Sequence, residues 1–107
     1  MRISNEMVRV YKELLGRGPT RARTAFAGPD TLLCTLEDSF TPAERRLVET
    51  GEHGRLLEAR TFMQHASRDA LCEPIERVTG RKVRGFVTGI DTEHDISTVI
   101  FYLQTEG

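Results

Sequence analysis

The chain has 107 residues, 38% of them hydrophobic and 29% charged, an ordinary globular mixture that excludes the low-hydrophobicity, high-charge signature of disorder and fits one domain spanning 1–107. Its formal net charge of -1 supplies no global field to draw it to nucleic acid or anionic lipid, so nucleic acid is not an expected partner. No run approaches the roughly 20 apolar residues needed to cross a bilayer, and Met1-Arg2-Ile3-Ser4-Asn5-Glu6 contains no apolar signal region, so the expected location is cytoplasmic with no transmembrane segment.

Aromatic residues make up only 7% and Trp is absent, so the core has to be built from aliphatic side chains and a few Phe. A second copy covering another face would enlarge it, and a homodimer is expected. Cys34 and Cys72 are too few for a disulfide framework and read as reduced thiols.

The spacing of Met7, Val8, Tyr11, Leu14 and Leu15 predicts a helix from Ser4 to Leu15, capped by the Ser4 hydroxyl. Gly16 stands where a left-handed residue closes a helix, and Pro19 prevents its resumption. From Arg21 to Asp38 the pattern is that of extended chain, and Gly28-Pro29-Asp30 splits it into strands over 22–27 and 31–37 that form a hairpin. Leu32, Cys34 and Leu36 share one face of the second strand, while Leu33 and Thr35 share the other. The arginines and small alanines of the first strand suit a sheet edge.

Thr41-Pro42-Ala43-Glu44 is a helix start in which Thr41 caps, Pro42 takes the first helical position and Glu44 reaches back to the cap's own N–H. Leu47 and Val48 are expected to face inward. Gly51 and Gly54 should interrupt this helix before a longer one begins near Arg55. There Leu56, Ala59, Met63, Ala66, Ala70, Leu71, Ile75 and Val78 make a stripe over about six turns. Pro74 lies inside that stripe, which continues in phase on both sides, so a kink is expected there and not a loop. Gly80 closes the helix.

Lys82 to Asp91 and Ile96 to Leu103 form a second hairpin around the polar turn 92–95. The last strand, dense in β-branched and aromatic residues, belongs in the middle of a sheet. The order α-β-β-α-α-β-β predicts an α+β fold, an antiparallel four-stranded sheet of two hairpins with helices packed on one face.

Three segments carry a likeness to a known family: Tyr11-Lys12-Glu13-Leu14-Leu15-Gly16-Arg17-Gly18-Pro19, Leu36-Glu37-Asp38-Ser39-Phe40-Thr41-Pro42-Ala43-Glu44, and Ile75-Glu76-Arg77-Val78-Thr79-Gly80 leading into the final hairpin. Through them the chain resembles the MpsC-like family over almost its whole length. The family name refers to a sodium-translocating membrane-potential-generating system. The resemblance brings no agreed catalytic residues with it. It implies a soluble accessory, peripheral or regulatory, whose partner is a membrane-associated protein.

The residues themselves offer few chemical constellations. Backbone N–H groups around Gly16 and Gly18, with Arg17 beside them, can form an anion-binding concavity. A phosphate-cradling loop, however, follows a strand and opens a helix, whereas this one does the reverse, so a helix cap and tight turn is the better reading. Arg17, Arg21 and Arg23 on one side and Arg81, Lys82 and Arg84 on the other would make a basic patch for a small anionic ligand or nucleic acid if the two strand beginnings adjoin. Otherwise they are solvated edge residues.

His53, His65 and His94 show no metal-ligand spacing, and Glu93-His94-Asp95 beside Asp91 reads as a solvated turn. His65 and Asp69 stand one helical turn apart, as surface pairs do. Cys34 has an inward register, and Cys72 is too far from His65 for activation. No metal, cofactor or catalytic residue is expected. Pro74 leaves the Ala70 carbonyl without a helical donor, which would mark a groove, a dimer contact or simple wrapping around the sheet. The dimer expectation rests on Leu33, Val99, Phe101 and Leu103, more apolar side chains than one helical layer can cover.

Overall fold

A computed structural model describes residues 2–105. The order is α1 (Arg2–Leu15), β1 (Arg21–Phe26), β2 (Thr31–Glu37), α2 (Pro42–Glu49), α3 (His53–Ala66), α4 (Arg68–Thr79), β3 (Val83–Asp91) and β4 (Ile96–Leu103). The strands form one antiparallel sheet in the order β1-β2-β4-β3. The α+β architecture is thus the expected one, with β4 central and arginine-rich β1 at an edge.

α1 begins two residues before the expected start, and Ser4 is not its cap. Ser4 is buried, and its hydroxyl lies 3.0 Å from the Thr24 hydroxyl, so it ties the helix to β1. Ile3, Met7, Val10 and Tyr11 form the buried stripe, while Val8, expected on it, is only half-buried. Gly16 closes the helix at φ +82°, donating its N–H to the Lys12 carbonyl at 2.9 Å. That left-handed conformation is open to glycine at little cost.

The capping box of α2 is present in both directions, since the Glu44 N–H donates to the Thr41 hydroxyl at 3.2 Å and the Thr41 N–H to the Glu44 carboxylate at 2.9 Å. Leu47 and Val48 are half-buried, and no residue of α2 is fully buried. Gly51, at φ +78°, ends this stretch. Gly54 does not interrupt it but lies in the first turn of α3.

The single bent rod expected over 55–79 is two helices. The division falls at Ser67 (φ -103°, ψ 27°), and Pro74 sits inside an α4 that continues to Thr79. Pro74 is buried, whereas Ala70, whose carbonyl loses its helical donor, is exposed, so water can satisfy that carbonyl without a loop. The stripe is also wrong in α3, where Ala59 and Ala66 are exposed and Met63 is half-buried. The residues α3 buries are Leu56, Arg60 and Gln64. A count of apolar side chains assigns alanines to the core too readily, and it passes over an arginine whose charge is neutralised inside.

α1 and α4 pack together and join Leu32, Cys34 and Leu36 of β2 and Val99, Phe101 and Leu103 of β4 in one core cluster. Val99, Phe101 and Leu103 are therefore wholly covered by the helical layer, which corrects the expectation that they overflow it. Only Leu33 of that set has its side chain on the other face.

Candidate functional site

Two regions combine unusual chemistry with accessibility: the corner between β2 and α2, and the sheet face turned away from the helices.

The corner is built around a buried guanidinium. Arg60 reaches out of α3 to donate from Nε and Nη2 to the two Glu44 carboxylate oxygens at 2.9 and 2.7 Å. It also donates to the Ser39 hydroxyl at 3.1 Å and the Ser39 carbonyl at 3.2 Å, and its charge lies 5.4 Å from the Phe40 ring centre. The Arg60 side chain is 0% exposed and that of Glu44 15%. Burial disfavours the Glu44 carboxylate, but hydrogen bonds from Arg60 and the Thr41 N–H outweigh it, and its pKa lies below the ordinary value. One carboxylate therefore caps a helix and neutralises a core charge.

The same corner is pinned to the β3–β4 turn. Asp38 and Asp95 both have positive φ (57° and 54°). The Asp38 N–H donates to the Asp95 carbonyl at 3.1 Å, and the Asp95 carboxylate accepts the N–H groups of Ser39 and Phe40 at 3.0 and 3.1 Å. An open cleft of about 540 Å3 runs past Glu37, Asp38, Arg45, Glu93 and His94. Part of its charge is paired, because Asp38 binds Arg17 at 3.5 Å and Arg45. Asp91 accepts the backbone N–H of His94 and faces its ring at 3.0 Å. These bonds hold the Asp91 pKa below its usual value and raise that of His94.

The six basic residues singled out in the sequence do not form a patch. β1 and β3 are the two outer strands and run antiparallel to their inner neighbours, so their beginnings lie on opposite edges and at opposite ends of the sheet. Arg17 donates to the Phe40 carbonyl at 2.6 Å. Arg21 and Arg23 share Glu37 at 3.7 and 3.3 Å. Arg81 binds the Pro29 and Gln104 carbonyls and Asp30, and so fastens the first hairpin turn to the end of β4. Lys82 is 4.0 Å from Glu76, and Arg84 lies over the Tyr102 ring.

Gly18 makes a close approach: a Cβ there would stand 3.0 Å from the Val8 carbonyl, so the glycine lets the loop lie against α1. His65 stacks on Phe86 with ring centres 4.7 Å apart, and His53 meets the Thr92 hydroxyl at 2.6 Å. Among the described residues, no group of three or more His, Cys, Asp or Glu side chains is placed to hold a metal ion.

The open face can be read from the pairing register. At one end Arg21, Glu37, Ile96 and Asp91 lie side by side across the strands, followed by Arg23, Thr35, Thr98 and Gly89. The next row is Ala25, Leu33, Ile100 and Val87, and beyond it Thr31, Tyr102 and Gly85 are aligned. Strand alternation puts these side chains opposite the helix-covered set. The result is an apolar middle row with Val87 51% exposed. Arginines lie on the β1 edge and a carboxylate on the β3 edge. The sequence showed Leu33 and Thr35 on this face, but the neighbours of Leu33 depend on non-local pairing that periodicity does not contain.

Both cysteines are free and buried, and burial pushes the Cys34 thiol up to about 12. Cys34 should therefore resist an aromatic disulfide reagent at pH 8 in the native protein and react only as fast as the sheet opens. Immediate labelling of Cys34, located by peptide mass, would contradict the burial of this strand.

A family model described as "Na+-translocating membrane potential-generating system (MpsC)" matches residues 1–105. Neither a curated protein nor a solved structure matches the chain.

Proposed function

The chain belongs to the MpsC family, and from that premise we propose that it is a non-enzymatic interaction or regulatory module, a cytoplasmic homodimeric accessory to a membrane-potential-generating, ion-transport system. The observation that carries this reading is the open sheet face. Leu33, Ile100 and Val87 lie in one row on the face opposite the helix-covered core, with no helix above it among the described residues, and a contiguous apolar surface of this kind marks a place where another protein is expected. The polar clusters, by contrast, are consumed in holding the fold. Arg60 and Glu44 pair internally, and the arginines named above have partners within the chain. Among the described residues no helix is long and apolar enough to cross a membrane, so in this reading the ion path belongs to a partner.

The test is a deletion with complementation. Sodium-dependent membrane potential, followed with a voltage-sensitive dye, should fall on deletion and return with the wild-type chain. The tagged chain should co-purify with an integral membrane protein from mildly solubilised membranes. An unchanged potential together with the absence of any such protein would refute the accessory role.

A further inference from the structure

We infer that the open face of the sheet docks a second copy of this chain, the two sheets stacking face to face about a two-fold axis that runs parallel to the strands between β2 and β4. This deepens the proposed function and rests on it for the homodimer alone.

The argument is one of self-complementarity. Such an axis lays β1 of one copy over β3 of the other and preserves position along the strands. Ala25 then meets the other copy's Val87, and Leu33 meets its Ile100, so the apolar row closes on itself. At the charged end, Arg21 and Arg23 come over Asp91 and Gly89. Two guanidiniums share the single carboxylate of Glu37, which leaves the β1 edge positive, while Asp91 and Glu93 leave the β3 edge negative where His94 is neutral. A Cβ at Gly89 would meet nothing within 4 Å, so the glycine leaves room for a long arginine to lie across the strand. The alternative axis, across the strands through the apolar row, would put β1 on β1 and carry Arg21 and Arg23 of each copy away from Asp91 of the other.

Four strands at about 4.8 Å spacing and rows about 6.6 Å apart give a face of roughly 500 Å2, so two copies hide about 1,000 Å2, the lower bound of a specific interface. The expected dimer is therefore weak, dissociating at micromolar concentration. Aligned sheets stack about 10 Å apart, close enough for Leu33 and Ile100 to interdigitate.

A cysteine pair tests the register. Ala25 and Val87 occupy the two outer strands of the same chain, three strand spacings or about 14 Å apart, whereas their counterparts in the stacked copies face each other across about 10 Å, too far for a disulfide but within reach of a short bifunctional thiol reagent. With a reagent too short to span the two positions of one chain, the variant Ala25→Cys with Val87→Cys should form covalent dimers, and neither single variant should. Val87→Lys, at a half-exposed position that leaves folding intact by circular dichroism, should weaken self-association at least about tenfold in sedimentation equilibrium, because it desolvates an unpaired ammonium.

A wild-type chain that is monomeric at 100 micromolar overturns the inference. So does a dimer that survives Val87→Lys but is broken by Phe62→Asp, which would place the contact on α3, or one that survives both, which would place it along a strand edge. A monomer that still co-purifies with its membrane protein removes this surface assignment and leaves the accessory role standing. A dimer whose deletion leaves the potential unchanged does the reverse.

Discussion

Replacing Glu44 with Ala is expected to cost about 3–5 kcal/mol, read from urea denaturation, because it leaves an uncompensated guanidinium in the interior. The Arg60 side chain is 0% exposed, so it cannot turn to water when its carboxylate is removed. Ser39 and the Phe40 ring remain beside it, but neither carries a countercharge. The substitution also removes the return hydrogen bond of the α2 capping box, from the Thr41 N–H to the Glu44 carboxylate. Arg60→Met should cost less, since Glu44 lies at the edge of the corner and can recover hydration. The double variant Glu44→Gln with Arg60→Met should regain much of the loss, because glutamine keeps the return hydrogen bond of the box and methionine fills the volume without a charge.

The same pair makes stability depend on acid. The Glu44 pKa is lowered in the folded state, so its contribution is complete above the unfolded carboxylate value and is lost as the pH falls through the folded one. Wild type and Glu44→Gln should therefore converge in stability as the pH is taken below about 4. A loss under 1 kcal/mol for Glu44→Ala at pH 7, or a gap to Glu44→Gln that widens in acid, would show that this ion pair does not hold the corner.

Most of the fold could be read from local patterns. The alternation in Thr31–Glu37, the β-branched run from Ile96 and the box at Thr41 each state a structure in a few adjacent residues, and each is present. The failures arise where a polar residue does the work of an apolar one. Arg60 and Gln64 occupy the inward positions of α3 because distant groups meet them, Glu44 and Ser39 for the first, Tyr11 and Ser97 for the Gln64 amide nitrogen, although the buried Gln64 Oε1 has no partner among the described residues. Nothing within α3 announces those partners. The basic residues failed for the complementary reason: which strand beginnings adjoin is a matter of sheet order, and the hairpins join through their second strands, β2 and β4, so that β1 and β3 are driven to opposite edges. The charged ends of the open face became visible only with that order.

Phe101 and Phe62 put this reading of α3 and the sheet to a direct comparison. Phe101→Ala should lose about 3–5 kcal/mol, the cost of a large cavity in a packed core. Its side chain is 0% exposed, it sits on the central strand opposite Leu32 and Phe86, and its ring centre is 6.2 Å from that of Phe86. Phe62 is 74% exposed on the outer side of α3. Phe62→Ala should therefore change stability by no more than about 0.5 kcal/mol, and any change should favour the helix, alanine being the better helix former. The two variants delete the same atoms, so the difference between them measures chiefly burial, with the smaller helix and strand preferences added. Equal losses would mean that α3 is rotated, with Phe62 inward. Arg60, two residues away and so on a different side of the helix, would then be displaced from Glu44, and the stability difference argued for that pair should vanish with it.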